Sequence, residues 1–119
     1  MFSKTINLII IINILIFSNT CCDNHQLNSE IPACIEEEIE IFKNTAVKEP
    51  PAQVWKWEVD GQTYYYIPSE CCDQFNFLYD ENCQLVCAPD GGFSGAGDGN
   101  CPDFQGPIAR TLVWEDQRN

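Results

Sequence analysis

The sequence has little positive charge: six lysines and arginines stand against 18 aspartates and glutamates, for a formal net charge of −12. Such a surface repels phosphate backbones and anionic headgroups, which argues against nucleic-acid binding and against electrostatic docking on a membrane. Histidine is almost absent, and the single one, His25, lies in a polar amino-terminal stretch, so the base that a serine or cysteine nucleophile needs is missing from the body of the chain. There is no Cys-x-x-Cys spacing, the usual mark of a dithiol redox centre. Cys83-x₃-Cys87 is the one separated close pair and does not supply four convergent zinc ligands. No apolar run reaches the roughly 18 residues of a spanning helix, and no internal repeat is present.

What is present begins with a leader. Ile6 to Phe17 is an apolar run broken by Asn7 and Asn13, behind the charge of Lys4, and residues 1–20 read as a signal peptide. A cysteine directly after such a run points to cleavage and lipidation in the manner of a bacterial lipoprotein. Cys21 is the lipidation candidate, because Phe17 and Ser18 then fall where apolar and small residues belong. Cys22 is the alternative, and its lipidation leaves six cysteines for three bridges. Residues 21–30 read as a tether, 31–114 as a single small extracytoplasmic domain, and 115–119 as a polar tail. The expected location is a membrane-anchored lipoprotein, with simple secretion as the alternative, and the one implied partner is the membrane through that lipid. Past the leader, Lys43, Lys48, Lys56, Arg110 and Arg118 oppose all 18 acidic residues, which favours solubility.

Within the domain, Ile31, Cys34, Ile35, Ile39 and Phe42 recur at three- and four-residue spacing, predicting a helix from Pro32 to about Lys43 with Asn44 as its carboxyl-terminal cap. Glu36, Glu37, Glu38 and Glu40 then face mainly solvent. Pro50-Pro51 stiffens the connection that follows. Val54 to Val59, Asp60-Gly61, and Gln62 to Ile67 form a strong hairpin signal. A two-residue turn sets Trp57 opposite Tyr64 and Trp55 opposite Tyr66, all on one face. That aromatic face is expected to pack beneath the helix, with a ligand platform as the alternative. A second hairpin is expected from Phe75 to Ala88, turning at Asp80-Glu81-Asn82 with Cys83 where such turns often place glycine. Ile108 to Trp114 reads as a final strand, with Ile108, Arg110, Leu112 and Trp114 on one face. The fold expected is α+β: one amino-terminal helix packed on a mainly antiparallel β-meander, stabilised by disulfides.

Five of the eight cysteines and five of the seven glycines fall between Cys71 and Cys101, a concentration that specifies a cross-linked, turn-rich module. The expected disulfide cysteines are Cys34, Cys71, Cys72, Cys83, Cys87 and Cys101. Adjacent residues of an extended chain point to opposite faces, so Cys71 and Cys72 are expected to reach different partners, one of them Cys34. Cys83 and Cys87, roughly 13 Å apart in a strand, are too far apart for each other, and Cys101 is expected to tie the glycine loop back. Six cysteines allow 15 connectivities, and the sequence alone does not choose among them.

Pro89 to Pro107 is a long connection of the kind that often carries function. Asp90, Asp98, Asn100 and Asp103 make it a weak calcium candidate, although Pro102, Asp103 and Ala109 stand where an EF-hand loop requires other residues. Gly92-Phe93-Ser94-Gly95-Ala96 lacks the second glycine of a nucleophile elbow, and Gly95 to Gly99 fails the dinucleotide spacing. No catalytic constellation, metal centre or cofactor is expected.

Cys34-Ile35 opening a helix, Cys71-Cys72-Asp73-Gln74, Leu78-Tyr79-Asp80-Glu81-Asn82-Cys83, Cys87-Ala88-Pro89-Asp90-Gly91-Gly92 and Gly95 through Phe104 together resemble a family of small cysteine-rich bacterial lipoprotein domains of unknown function. The resemblance implies an exported, anchored domain and carries over no activity. A noncatalytic binding or structural module of the cell envelope is therefore the expected function, with a protease-inhibitor-like module and a calcium-binding domain as alternatives.

Overall fold

The structure, a computed structural model, describes residues 31–119. The leader, the tether, Cys21, Cys22 and His25 lie outside the described residues. One helix, α1 (Ala33–Asn44), is followed by five strands, β1 (Gln53–Val59), β2 (Gln62–Ile67), β3 (Phe75–Asp80), β4 (Leu85–Gly91) and β5 (Ala109–Glu115). They form one sheet in the order β4-β3-β2-β1-β5, with every pairing antiparallel. Strands β1 to β4 are a meander, and β5 returns beside β1. The class is α+β, dominated by sheet. Among the described residues, no helix is long and apolar enough to cross a membrane.

The helix forms where the apolar spacing predicts it, and Ile35, Ile39 and Phe42 are its buried residues. Its ends differ from expectation by one position: Pro32 is the amino-terminal cap and Thr45 the carboxyl-terminal one, with Asn44 inside the helix. Thr45 prevails because its hydroxyl and its backbone N–H both donate to the Phe42 carbonyl, at 3.0 and 3.2 Å. Asn44 uses its amide on the Glu40 carbonyl instead. The β1–β2 hairpin has the predicted register, Trp57 to Tyr64 and Trp55 to Tyr66. Its turn places Asp60 and Gly61 at φ 52° and 74°, the positive values a two-residue hairpin of this twist requires.

The aromatic face, however, does not lie beneath the helix. Ile35, Ile39 and Phe42 pack with Ala52, Val54 and Tyr65, flanked by Ile67, Val113 and Trp114. These include the residues alternating with the aromatic set. Trp57, with Trp55, Tyr64 and Tyr66 beside it, joins Leu78, Cys87, Cys101, Phe104 and Ile108 on the opposite side. Period-two alternation fixed which rings share a face but not which face the helix covers, and the aliphatic face of β1 received it. The cover on the aromatic side is the long glycine connection, through the edge-on Phe104–Tyr64 contact at 5.7 Å.

In β5 a bulge breaks the expected alternation. Trp55 pairs with Leu112 but Val54 with Trp114, so Val113 is the extra residue. Arg110 stays on the aromatic side, over the Trp57 ring, while Trp114 turns to the helix and stacks on Phe42 with 6.0 Å between ring centroids. A bulge re-aims a side chain in this way because it shifts the pleat by one position.

The six cysteines Cys34, Cys71, Cys72, Cys83, Cys87 and Cys101 are paired at disulfide distance as Cys34–Cys83, Cys71–Cys72 and Cys87–Cys101. Both expectations for Cys71 and Cys72 are corrected. Alternation holds only along an extended chain, and Cys72 sits in a turn at φ 69°, which brings the two side chains to one side. The β2–β3 connection that carries them also lies at the end of the sheet opposite the β3–β4 turn, and the first turn of α1 is above the latter. Cys34 therefore meets Cys83, with Cα atoms 6.2 Å apart. Cys83 itself occupies the left-handed region at φ 57°, a conformation that costs a non-glycine residue about 1–2 kcal/mol and is retained because the bridge needs a side chain there. Asp80 secures that turn by accepting the N–H groups of Asn82 and Gln84 at 2.8 and 2.9 Å.

The chain end is tied to the helix. Arg118 donates to the carbonyls of Phe42, Lys43 and Thr45 at 2.8, 2.8 and 3.1 Å, satisfying acceptors that a helix end leaves open. Asp116 is buried and holds the guanidinium at 2.7 and 2.9 Å. These hydrogen bonds from Arg118 keep the Asp116 carboxyl below the usual carboxylate range.

Two predictions follow from these ties. The 49-residue separation of Cys34 and Cys83 corresponds to about 4 kcal/mol of loop-closure entropy and the 14-residue separation of Cys87 and Cys101 to about 3 kcal/mol, whereas adjacent cysteines close no loop. Denaturant titration of the paired serine variants is expected to show losses in that order, with the Cys71/Cys72 variant within about 0.5 kcal/mol of the parent. The second concerns acid. A carboxyl with a depressed folded pKa stabilises the fold above its unfolded pKa of about 3.9 and loses that contribution as pH falls through the folded value. Asp116→Asn is therefore expected to melt below the parent at pH 7 and to converge with it below pH 4. A melting difference that stays constant down to pH 2 would contradict the linkage.

Candidate functional site

On the aromatic side, toward the end of the sheet that carries the β2–β3 connection, an open groove of about 380 Å³ is lined by Gln53, Trp55, Trp57, Tyr66, Pro68, Asp90 and Arg110. Its floor is aromatic because Trp55 and Trp57 project from the same face of β1 and Tyr66 stands opposite Trp55 on β2. Trp57 is buried, stacked on Tyr66 at 4.8 Å between ring centroids with planes 20° apart. The Arg110 guanidinium lies 4.6 Å from the Trp57 ring centre, within range of a cation–π contact. Trp55 is only partly buried.

Asp90, Tyr66 and the Trp55 indole are each held by a hydrogen bond to a neighbour. Asp90 accepts the Tyr66 hydroxyl at 2.9 and 3.1 Å and the Asn76 amide at 2.6 Å. Asn76 in turn accepts the backbone N–H and the hydroxyl of Ser69, both at 2.8 Å. Burial and the adjacent Asp90 carboxylate push the Tyr66 phenol far above its ordinary pKa, so it remains a neutral donor. At the other end, the Trp55 indole N–H donates to Gln53 Oε1 at 3.0 Å, and the Gln53 amide is anchored on Glu115. Side chains fixed in this way lose little freedom when a ligand docks.

Pro89, the residue before Asp90, is tolerated in β4 because β4 is an edge strand of the sheet. The glycine connection then folds back along that edge. Gly97 donates to the Gly91 carbonyl at 3.1 Å and Asp98 to the Ala88 carbonyl at 3.0 Å. A Cβ on Gly97 would overlap the Ala88 carbonyl oxygen, and one on Gly91 would overlap that of Gln74. The glycines thus permit close packing of backbone on backbone, and Cys87–Cys101 pins the segment. Asp60 secures its far end by accepting the N–H groups of Gln105 and Gly106, both at 2.8 Å.

A larger cleft of about 430 Å³ lies on the helix side, along Phe75, Phe77 and Tyr79 of β3. Its polar groups are less convergent: Lys48 pairs with Glu70 at 3.6 Å, and Glu38, with burial the larger cause, raises the Tyr79 pKa. The groove on the aromatic side is the better candidate because its polar groups are oriented by a network.

The calcium candidates are not gathered. Asp90 faces the groove. Asp98 closes its own turn, accepting the Asn100 N–H at 2.9 Å, and hydrogen bonds of this kind hold its carboxyl below the usual range. Asn100 and Asp103 are exposed on the connection. Among the described residues, no group of three or more histidine, cysteine, aspartate or glutamate side chains is placed to hold a metal ion.

The sequence singled out Asp90, for calcium, and the Trp55, Trp57 and Tyr66 face. It passed over Gln53, Asn76 and Arg110 as site residues. Arg110 carried a signal, since its alternation with Ile108 and Leu112 placed it on one face of a strand, but its position over Trp57 depends on β5 pairing with β1. Asn76 carried none.

Comparison with curated proteins and with solved structures gives no match. The model of one family, described as a domain of unknown function (DUF6970), matches residues 40–116. That span includes all five strands, the glycine connection and every residue of the groove, and the chain belongs to this family.

Proposed function

We propose that the chain is an exported, lipid-anchored, noncatalytic binding module of the cell envelope, and that the groove between Trp55 and Asp90 is its ligand seat. The observation that carries this reading is the coexistence of an aromatic floor with a carboxylate and a guanidinium on its rim, each held in place by a neighbour. Pockets of about 300–1,000 Å³ with an apolar lining and a few oriented polar groups are the usual form of small-ligand sites. The anchored location rests on the leader and on Cys21 or Cys22.

The protease-inhibitor alternative loses ground on the glycine connection. Phe93 is 94% exposed at its tip, but Gly95 donates to the Gly92 carbonyl at 3.1 Å, a tight turn rather than the extended segment a protease cleft accepts. The calcium alternative loses ground on the dispersal of its donors.

Two outcomes test the proposal. Radiolabelled palmitate is expected to enter the protein in growing bacteria and to be lost in Cys21→Ser with Cys22→Ser; equal labelling of the variant would remove the anchor. The processed protein, immobilised and washed after exposure to an envelope extract, is expected to release a compound detectable by mass spectrometry. Trp55→Ala is expected to retain at least about tenfold less, the equivalent of one lost aromatic contact. Equal retention by the two proteins would remove the groove as the seat.

A further inference from the structure

We infer that the ligand of this groove is a neutral saccharide, a deepening that rests on the groove being the binding seat. The Asp90 carboxylate only accepts hydrogen bonds, and the Arg110 guanidinium only donates them. Both line the same groove of about 380 Å³. An anion entering it meets Asp90, and a cation meets Arg110, so either places like charges together. A wholly apolar ligand would strip water from both groups without replacing their hydrogen bonds, which is costly.

Hydroxyl groups satisfy both sides, because each one donates and accepts. A pyranose carries such hydroxyls around its edge while one ring face presents C–H groups. That shape matches a flat apolar surface with a polar rim. Trp55 supplies the surface: it is partly exposed, and its indole orientation is fixed by the hydrogen bond to Gln53 at 3.0 Å. Trp57 beneath is already covered by Tyr66 and Arg110, so Trp55 is the ring left for stacking. Asp90 is aimed by Tyr66 and Asn76 before any ligand arrives. The chain's net charge of −12 further selects a neutral sugar over an acidic one. A zwitterionic amino acid satisfies the two rim charges as well. Unless it is aromatic, however, it brings no flat face of C–H groups to lie on the Trp55 ring, which a pyranose does.

The test uses the chain from residue 21 onward, exported behind a leader that is cleaved without lipidation and carrying Cys21→Ser and Cys22→Ser, labelled with ¹⁵N. Indole and backbone resonances are followed while neutral disaccharides (cellobiose, chitobiose, maltose, mannobiose), zwitterionic amino acids and choline are added separately. The expected result is saturable movement of the Trp55 indole and Asp90 amide signals with at least one disaccharide. Trp55→Ala is expected to weaken that binding by about tenfold while leaving the Ile35 and Ile39 amide signals on the helix side unmoved. Arg110→Gln, which keeps a donor, is expected to be milder than Arg110→Leu. Movement of the groove signals by amino acids or choline with none from any disaccharide overturns the saccharide assignment and leaves the groove as the seat. Saccharide binding that Trp55→Ala does not weaken, or no movement with any disaccharide, also overturns the assignment. The retention experiment on envelope extract separately decides whether the groove binds anything.

Discussion

Val54 and Trp57 project from opposite faces of β1, and both are almost fully buried, at 0% and 4% exposure. A strand buried on both sides requires two covers, and the described residues hold one helix to supply them. The helix takes the aliphatic face, where Ile35, Ile39 and Phe42 meet Val54 and Tyr65. The aromatic face must be covered by chain without regular structure, which is the role of the segment from Gly92 to Ile108. An irregular cover of that length is held in place only if its entropy is restrained and its backbone can approach the sheet closely. Cys87–Cys101 supplies the first condition, and the glycines at 91 and 97 supply the second. The density of cysteine and glycine in this region is therefore a consequence of the two-sided burial of β1.

The groove is what that cover leaves open. Phe104 and Ile108 pack against the aromatic cluster with Tyr64, toward the Asp60-Gly61 turn, while Trp55, Tyr66 and Asp90 lie nearer the other end. At that end the polar residues are held by one another rather than by burial. Ser69, Asn76, Asp90 and Tyr66 form one hydrogen-bonded series crossing from the β2–β3 connection through β3 and β4 to β2. Such a series costs its members little, since each donor has an acceptor, and it fixes the direction in which the carboxylate points. The same economy applies at Gln53, which orients Trp55 while resting on Glu115 at the end of β5.

Family membership adds a boundary rather than an activity. The matched span opens within α1 and closes at Asp116, so the sheet, the glycine cover and the groove belong to the shared unit. The Cys34–Cys83 bridge reaches from that unit to the start of the helix, and Arg118 reaches back to its end. The helix is thus fastened to the sheet at both of its termini by residues distant in sequence.

Local patterning was enough for the elements. Three- and four-residue spacing gave α1, alternation with Asp60-Gly61 gave the first hairpin and its register, and the placement of Cys83 where a turn wants glycine matches its φ of 57°. These depend on neighbours along the chain, whose preferences are written in their side chains. Tertiary structure alone decided the rest: which face of the sheet the helix covers, the bulge at Val113 that sends Trp114 to Phe42 and leaves Arg110 over Trp57, and the pairing of Cys34 with Cys83. Alternation is symmetric between the two faces of a sheet, and only the competition of whole surfaces for cover breaks that symmetry. The groove followed from that choice, because its rim joins residues from β1, β2, β4 and β5 that no sequence interval places together.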